Sequence, residues 1–322
     1  MNGSESPQRM IVWHDVENGA YSADLPLWRE LAREASERER EREPTGETPE
    51  ASEILELGCG TGRVALDLAR AGHRVLGVDV EPVFTAELDR RAAERGLAAR
   101  ALRGDITTDP LPRPAGGAAG FGLVIGAMQV VQLLPGPEAR ARTLSAIRAA
   151  LGANGMAALA IVEGERMQGA AASPDGDPDG EHHERNGGDA TDGNVGTVGN
   201  DGNETSEGCE VERPPLPDVL ERDGWVYSSL PIAPRVRNGE IHVRRLRHLV
   251  SPAGELSEDV DLLRLAVLTA EQLEDEARAA GLEPAGRREV PATDDHVGST
   301  VVLLRHGPGG MPTGRPTGGS TR

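Results

Sequence analysis

The chain has 322 residues, of which 53 are acidic and 34 are lysine or arginine, so its formal net charge is -19 at pH 7. This excess of negative charge disfavours nucleic acid and anionic membrane surfaces, because both are bound through clustered cations. No apolar run approaches the roughly 20 residues that cross a bilayer, and no signal segment is evident. Cys59 and Cys209 lie far apart, so no disulfide framework is indicated. We therefore expect a soluble cytoplasmic protein without nucleic-acid or membrane partners.

Residues 1–35 are predicted to contain one short amphipathic helix. Asp24 is positioned to cap it and Pro26 suits its first turn. The apolar residues that recur at helical spacing are Leu25, Leu27, Trp28 and Leu31. Residues 36–50 have no apolar face and end in proline and glycine signals, so we predict a solvated helix end that runs into a charged linker.

From residue 53 short apolar runs alternate with helical patterns, which is typical of repeated βαβ units and a parallel sheet. The predicted strands are 54–57, 74–78, 98–102, 121–125 and 156–162. The predicted helices between them cover 64–69, 82–95 and 137–151. We assign residues 51–162 to one folded domain.

Residues 163–222 interrupt this pattern. They are rich in Gly, Asp and Asn and almost lack large apolar residues, so we predict a disordered acidic insertion. The folded signal returns over 223–306, with strand-like alternation at 225–232 and 241–249, a helix at 269–280 and a closing hairpin of strands at 285–290 and 299–304. Residues 307–322 are predicted to be a disordered tail.

The most informative string is ILELGCGTGRVALDLARAGHRVLGVDVEP at residues 54–82. It puts Gly58, Gly60 and Gly62 on a strand-to-helix turn, where glycine allows positive φ angles and lets a ligand approach the backbone. Asp79 ends the next predicted strand, where a carboxylate can accept hydrogen bonds from both ribose hydroxyls. This arrangement predicts a site for a ribonucleoside.

Glu56 distinguishes two possible cofactors. An NAD site is one alternative, because Gly60, Gly62 and Ala65 fit part of the dinucleotide fingerprint. A pyrophosphate, however, needs a helix N-terminus free of opposing charge, and the Glu56 carboxylate would repel it. A sulfonium cation with an attached ammonium group would be attracted instead. The string therefore favours S-adenosyl-L-methionine over a dinucleotide.

Residues 53–162 resemble the class I, Rossmann-like methyltransferases that use S-adenosylmethionine on small molecules, and ELGCGTG matches their first motif. The resemblance implies an α/β three-layer sandwich with a mostly parallel seven-stranded sheet of order 3-2-1-4-5-7-6, its last strand antiparallel. It also implies in-line methyl transfer to an N, O or C nucleophile of a small-molecule acceptor. Nucleic-acid enzymes of this kind carry Asn/Asp-Pro-Pro-Tyr/Phe or Pro-Cys strings after the fourth strand, and neither string occurs there.

The same resemblance implies a role for each part of the motif. The glycine turn would lie against the methionine part of the cofactor, Glu56 would approach its amino group and Asp79 would hold the ribose. Asp105, in RGDI, would pair with the adenine amino group, and the residues of FGLVIGAMQVVQLL would border the methyl-transfer face. The cofactor-binding residues predicted in this way are Glu56, Gly58, Cys59, Gly60, Gly62, Asp79, Val80, Asp105, Ile106, Ala127 and Met128.

No residue type in the sequence identifies a catalytic group. WHDVENGAYSADLPLWRELA resembles the lid that precedes the domain in small-molecule methyltransferases, which makes Tyr21 a candidate. His14, in the same string, is a candidate general base because an imidazole titrates near neutrality. His242 and His248 are alternative bases, although alternation on a strand favours a structural role for His242. We interpret Cys59 as a small side chain suited to a tight turn, because methyl transfer from a sulfonium needs no enzyme nucleophile.

No metal site is predicted. Asp175, Asp177 and Asp179 imitate the start of a calcium loop, but Asn186 stands where such a loop needs glutamate. Two other functions stay open from the sequence: an NAD-linked oxidoreductase, and a non-catalytic cofactor-binding module that regulates a partner. The oligomeric state is not predicted.

Overall fold

The computed structural model describes residues 6–42, 53–115, 118–164, 216–293 and 296–307. The strands of these residues are β1 (Glu53–Leu57), β2 (Arg74–Asp79), β3 (Ala99–Arg103), β4 (Phe121–Gly126), β5 (Leu151–Ile161), β6 (Asp218–Arg222), β7 (Trp225–Arg237), β8 (Glu240–Val250), β9 (Leu256–Ala266), β10 (Leu282–Val290) and β11 (Ser299–His306). The helices are α1 (Pro7–Asn18), α2 (Leu25–Arg42), α3 (Arg63–Arg70), α4 (Pro82–Arg95), α5 (Gly136–Ala150) and α6 (Ala270–Ala279), with a short 3-10 helix at Val130–Gln132.

Seven strands form the central sheet in the order β3-β2-β1-β4-β5-β11-β10. The strands from β1 to β5 pair in parallel, whereas β11 is antiparallel to both β5 and β10. Because β10 and β11 are the sixth and seventh strands of this sheet along the chain, the order is 3-2-1-4-5-7-6. The predicted fold class is confirmed, including the antiparallel last strand and the closing hairpin.

Helices cover the central sheet on both faces. Leu55 and Leu57 of β1 pack in an apolar cluster with α5 and α6, while Ile54 packs in a second cluster with α2, α3 and α4. Successive side chains of a strand point to opposite faces, so one short strand contributes to both clusters. This burial on two sides explains the nearly continuous apolar runs of the parallel strands.

A second sheet, the meander, consists of β6, β7, β8 and β9 in antiparallel order. The sequence predicted two of its strands and missed the others. The prediction of disorder up to residue 222 is wrong for Asp218–Arg222, which pair with Trp225–Ser229. β9 was missed because its acidic residues obscure the alternation of apolar and polar side chains. Their partners lie on the neighbouring strand; Asp261, for example, lies 3.4 Å from Arg247 of β8.

The N-terminal region contains two helices where the sequence predicted one. α2 continues to Arg42, where the sequence predicted a solvated helix end that runs into the charged linker. Ion pairs one turn apart, such as Arg33 with Glu37 at 2.7 Å, stabilise this solvent-facing end. The rest of that linker, most of the predicted insertion, the calcium-like run and the predicted tail lie outside the described residues.

Gln132 fixes the meander to the central sheet. Its side-chain amide donates to the carbonyl oxygens of Val162 at 3.0 Å and Ala266 at 2.9 Å, and its oxygen accepts from the Val162 N–H at 2.8 Å. The side chain is 1% exposed, so all three hydrogen bonds lie in the protein interior. Among the described residues no helix is long and apolar enough to cross a membrane.

Candidate cofactor site

The turn after β1, here called the glycine loop (residues 58–62), lies where the carboxyl ends of β1, β2 and β4 meet. Gly58, Gly60 and Gly62 have φ angles of 63°, 51° and 97°, in the left-handed region that favours glycine. A Cβ on Gly58 would lie 2.6 Å from a methyl carbon of Val130. The Gly58 N–H donates to the carbonyl oxygen of Val78 at 2.8 Å, which ties the loop to β2.

Asp79 connects the end of β2 to the glycine loop. Its Oδ2 accepts from the Gly60 N–H at 2.8 Å, and its Oδ1 accepts from the Glu81 N–H at 3.0 Å. The residue is half-buried, and each carboxylate oxygen keeps a lone pair for a further donor. The carboxylate therefore shapes the loop and can also accept from hydroxyl groups.

Glu56 is buried beneath the glycine loop and is only 2% exposed. Its Oε2 has no hydrogen-bond partner among the described residues. Burial raises the pKa of Glu56 to about 8, although Arg63 and the Ala65 N–H lower it. Arg63 does not neutralise Glu56 fully, because its guanidinium makes two hydrogen bonds to Asp24, at 2.6 and 2.8 Å. The partnerless Oε2 is therefore a buried acceptor that a cation or hydrogen-bond donor could satisfy.

Cys59 is buried under the same loop. Burial raises the pKa of its thiol far above the ordinary range, so the sulfur stays protonated. A Cβ on Gly77 would lie 2.5 Å from the Cys59 sulfur, which shows how closely the side chain packs on β2. These contacts support the interpretation of Cys59 as a packing residue.

A cavity of about 270 Å³ opens beside the carboxyl end of β3. Its lining includes Asp105 and Ile106, the pair that sequence reasoning assigned to adenine. The Asp105 carboxylate accepts from the Thr107 N–H at 2.8 Å and from the Thr107 hydroxyl at 2.7 Å, and these hydrogen bonds lower its pKa. Val80, the residue after β2, is 53% exposed.

The backbone after β4 is strained. Met128 and Gln129 both have positive φ angles, 46° and 61°, although neither is glycine. Consecutive left-handed residues of this kind cost about 1–3 kcal/mol each and concentrate at functional sites. Ala127 is buried, and Met128 and Gln129 are half-buried at the same edge of the sheet as the glycine loop.

Helix α1 brings His14 onto the glycine loop. A Cβ on Gly60 would lie 2.4 Å from the His14 Nε2, and the His14 ring packs on Phe84 with 4.5 Å between ring centroids. Burial lowers the pKa of His14 below its ordinary value. His242 and His248 instead pair with Glu240 and Glu258 within the meander, so only His14 of the three candidate bases reaches the loop.

Tyr21 lies over the start of α3, away from His14. Its ring is stacked between the Arg63 guanidinium, 5.2 Å from the ring centroid, and the His296 ring, 4.8 Å away. The Arg63 guanidinium also donates to the Tyr21 carbonyl oxygen at 2.9 Å. Tyr21 thus connects the segment before α2 to the loop between β10 and β11.

Sequence reasoning missed a polar network around the glycine loop. Thr61 donates to Asp15 at 2.8 Å, and Asp15 forms an ion pair with Arg91 of α4. No local pattern announces these contacts, because residues 15 and 61 belong to distant segments. Their only signal was the presence of His14-Asp15 in the lid-like string.

The sequence matches the family described as "Methyltransferase domain" over residues 54–155. This segment contains the strands β1 to β4, the glycine loop and both aspartates of the site. The similarity to this family is confined to residues 54–155.

Solved structures with this domain share the wider fold of the chain. An S-adenosylmethionine-dependent methyltransferase from Clostridium acetobutylicum ATCC 824 aligns with a TM-score of 0.59 at 10% identity, covering 94% of this chain and 98% of that one. The sugar N-methyltransferase KedS8 from Streptoalloteichus sp ATCC 53650 aligns with a TM-score of 0.58 at 16% identity, covering 95% and 96%. At these identities the likeness shows the fold alone.

One curated relative matches a short stretch of the methyltransferase domain. The S-adenosyl-L-methionine-dependent Diels-Alderase iccD of Talaromyces variabilis is 47% identical over 49 residues, which is 15% of this chain. The chain spans only 17% of the length of that relative. The match therefore concerns part of one domain and carries no information about the remainder.

Proposed function

We propose that this chain is an S-adenosylmethionine-dependent methyltransferase that acts on a small-molecule acceptor. The observation that carries the proposal is the buried Glu56 carboxyl group, whose Oε2 has no partner among the described residues. It lies beneath the glycine loop, whose Gly60 N–H donates to Asp79. A cationic adenosyl donor satisfies both features, because its ammonium group can pair with Glu56 while its ribose hydroxyls donate to Asp79.

The remaining contacts follow from the layout of the sheet edge. Gly58 to Gly62 would approach the methionine part of the donor, where side chains would intrude. Asp105, Ile106 and Val80 would surround the adenine, next to the cavity of about 270 Å³. Ala127 and Met128, at the strained turn after β4, would border the methyl group.

The donor supplies an activated methyl group on its sulfonium. The residues of the chain then need to orient an acceptor N, O or C nucleophile in line with that group and to exclude water. Such orientation can lower a barrier by about 7–11 kcal/mol in favourable cases. α1 and the segment to Asp24 would serve as the lid that performs this exclusion.

The acceptor is proposed to be a small molecule and not a polymer. The net charge of -19 opposes nucleic acid and anionic membranes, which also suits a cytoplasmic enzyme. KedS8 is a sugar N-methyltransferase, and CalS10, with a TM-score of 0.53, is an amino pentose methyltransferase. An amino sugar is therefore the first acceptor class to test.

Calorimetry with S-adenosylmethionine, S-adenosylhomocysteine and NADH tests the donor. We expect heat of binding with the first two and none with NADH, because NADH has no ammonium group that could pair with the buried Glu56 carboxyl group. Binding of NADH alone would contradict the proposal in favour of an oxidoreductase.

Turnover with a tritium-labelled methyl donor then tests the reaction, using glucosamine, a phenol and an amino acid as acceptors. Label should pass to one acceptor and S-adenosylhomocysteine should accumulate. A chain that binds the donor without consuming it would instead act as a cofactor-dependent module, the second candidate function. The match to a protein named as an S-adenosylmethionine-dependent Diels-Alderase makes that outcome worth testing.

A further inference from the structure

A hydroxyl group links an aspartate to a histidine on top of the glycine loop. Thr61 Oγ1 lies 2.8 Å from Asp15 Oδ1 and 3.3 Å from His14 Nδ1. Thr61 belongs to the loop, whereas Asp15 and His14 are neighbours on α1. Thr61 is 2% exposed, so water does not compete for its hydroxyl.

The position of the Thr61 proton determines the tautomer of His14. Asp15 forms an ion pair with Arg91, whose guanidinium also donates to Glu87 at 2.7 Å. A carboxylate only accepts, so the single hydroxyl proton of Thr61 points to Asp15. The Thr61 oxygen can then only accept from His14, which requires the proton of the neutral imidazole to be on Nδ1. His14 Nε2 is left with a free lone pair.

The Nε2 edge of the His14 ring lies on the glycine loop. A Cβ on Gly60 would lie 2.4 Å from Nε2, and this nitrogen forms no hydrogen bond within the described residues. The donor's own polar groups already have acceptors in Glu56 and Asp79, so the lone pair remains available to another molecule. α1 also contacts the meander through Glu17 and Arg247, so His14 lies between the cofactor loop and that second sheet.

The charges around His14 suit a group that gains a proton for a short time. Burial favours the neutral ring before reaction. The carboxylates of Asp15, Asp79 and Glu17 favour the imidazolium, and Arg91 opposes it. These groups belong to α1, β2 and α4, the elements packed around the ring, and the negative charges outnumber the positive one.

We propose that His14 is the general base of the reaction and that Asp15 and Thr61 are positioning residues that hold its Nε2 toward the acceptor. The inference rests on the proposed methyltransferase function. The acceptor's lone pair forms the new bond to the methyl carbon as the carbon–sulfur bond breaks and its electrons remain on sulfur. The proton that the acceptor loses passes to His14 Nε2, and from the imidazolium to water afterwards.

Spectroscopy on the full chain tests the tautomer without an acceptor. Long-range proton–nitrogen correlation spectra of histidine-labelled protein distinguish a protonated nitrogen from one with a lone pair, and His14→Gln identifies the His14 signals. We expect the proton on Nδ1, with and without S-adenosylhomocysteine, and a mixture of tautomers in Thr61→Val. A proton on Nε2 in the wild-type chain would overturn the proposal.

Kinetics tests the role of the base with whichever acceptor of the panel is methylated. His14→Gln should lower kcat by about 100- to 10,000-fold and abolish the loss of kcat/KM at acid pH. Thr61→Val should lower kcat less, and Thr61→Ser should restore it. His242→Gln, in the meander, is the matched control and should keep full activity. A purely structural role would give a His14→Gln variant with an unchanged acid limb.

Calorimetry with S-adenosylhomocysteine separates this proposal from the proposed function. His14→Gln should bind that product with an affinity within about threefold of wild type, since Glu56, Asp79 and the glycine loop are unchanged. If the wild type itself fails to bind, the methyltransferase assignment is wrong. If binding is intact but His14→Gln turns over normally, only the assignment of the base is wrong.

Discussion

The glycine loop and the meander are stabilised by different kinds of contact. The glycine loop follows a fully buried strand, and backbone hydrogen bonds such as Gly58 N–H to Val78 attach it to β2. The meander buries few apolar side chains, namely Tyr227, Ile241, Leu249 and Leu265. Apolar contacts such as Tyr227 with Trp13 join it to the rest of the chain, together with polar groups from distant segments, above all Glu17 and Gln132.

This difference shows two ways in which parts of a fold can be built. A site for one invariant cofactor can be built from a short stretch of sequence, because its geometry depends on adjacent strand ends. A peripheral sheet can instead be attached through side-chain pairs, which tolerate change in the sheet itself. We therefore expect substitutions in the loop to alter donor binding, and substitutions at the joints of the meander to alter stability.

The largest effect on donor binding is expected from Asp79→Ala. The change would remove the proposed acceptor for two ribose hydroxyls, and hydrogen bonds to charged groups contribute about 1.5–3 kcal/mol each. Affinity for S-adenosylhomocysteine should fall roughly 100- to 10,000-fold by calorimetry. Asp89→Ala is the matched control, since Asp89 accepts from the Ala101 N–H at 2.7 Å behind the site. Equal losses in both variants would mean that Asp79 only supports the fold.

Glu56 should make stability depend on pH. Its pKa is about 8 in the folded chain and 4.5 in the ordinary state, so between these values the folded chain binds the extra proton. The contribution of Glu56 to stability is therefore lost as pH rises through this window. Glu56→Gln has no carboxyl group to titrate. As pH rises through this window, its free energy of unfolding should therefore increase relative to that of wild type by up to about 1.4 kcal/mol per pH unit. Chemical denaturation of both proteins at pH 6, 7, 8 and 9 measures this difference in free energy of unfolding.

The same carboxyl group should release its proton when the cationic donor binds. At pH 7 the heat of binding should then vary with the ionisation enthalpy of the buffer in wild type but not in Glu56→Gln. Identical heats in all buffers for both proteins would contradict an ammonium contact at Glu56.

The parts of the fold that the sequence predicted are those governed by local pattern. The helix at 82–95 has Pro82 at its start and Gly96, with a φ angle of 62°, just beyond its end, and both limits were predicted. The buried strands of the central sheet were identified as apolar runs. The glycine loop and Asp79 come together because the first two strands are adjacent and parallel.

The parts that the sequence did not predict depend on contacts between distant residues. β9 contains acidic residues whose partners, such as Arg247, lie on another strand. α1 has no distinct apolar face; Val12 and Trp13 pack on Tyr227 of the meander only in the folded chain. The link from Asp15 through Thr61 to His14 likewise joins an N-terminal helix to a loop near residue 60. Pairing of this kind leaves no periodic signal.

Gln132→Leu should show how firmly the meander is attached. The substitution keeps much of the volume but leaves the Val162 and Ala266 carbonyl groups without their buried donor. Each unsatisfied group costs about 1–3 kcal/mol, so the free energy of unfolding should fall by roughly 2 kcal/mol or more. Gln272→Leu, at the exposed start of α6, is the control and should cost less. If the two variants unfold alike, the amide of Gln132 does not hold the sheets together.

The smallest effect is expected at the joint between α1 and the meander. Glu17 accepts two hydrogen bonds from Arg247, each 2.7 Å long, and the two side chains are 11% and 16% exposed. Single variants also disturb Ser229, which donates to Glu17, so a double-mutant cycle of Glu17→Gln and Arg247→Gln is needed to isolate the pair. We expect a coupling energy of about 1 kcal/mol, above the range of most exposed pairs. A coupling energy near zero would show that α1 is held by the apolar contact of Trp13 with Tyr227. In that case charged side chains would not be what attaches the meander to this helix.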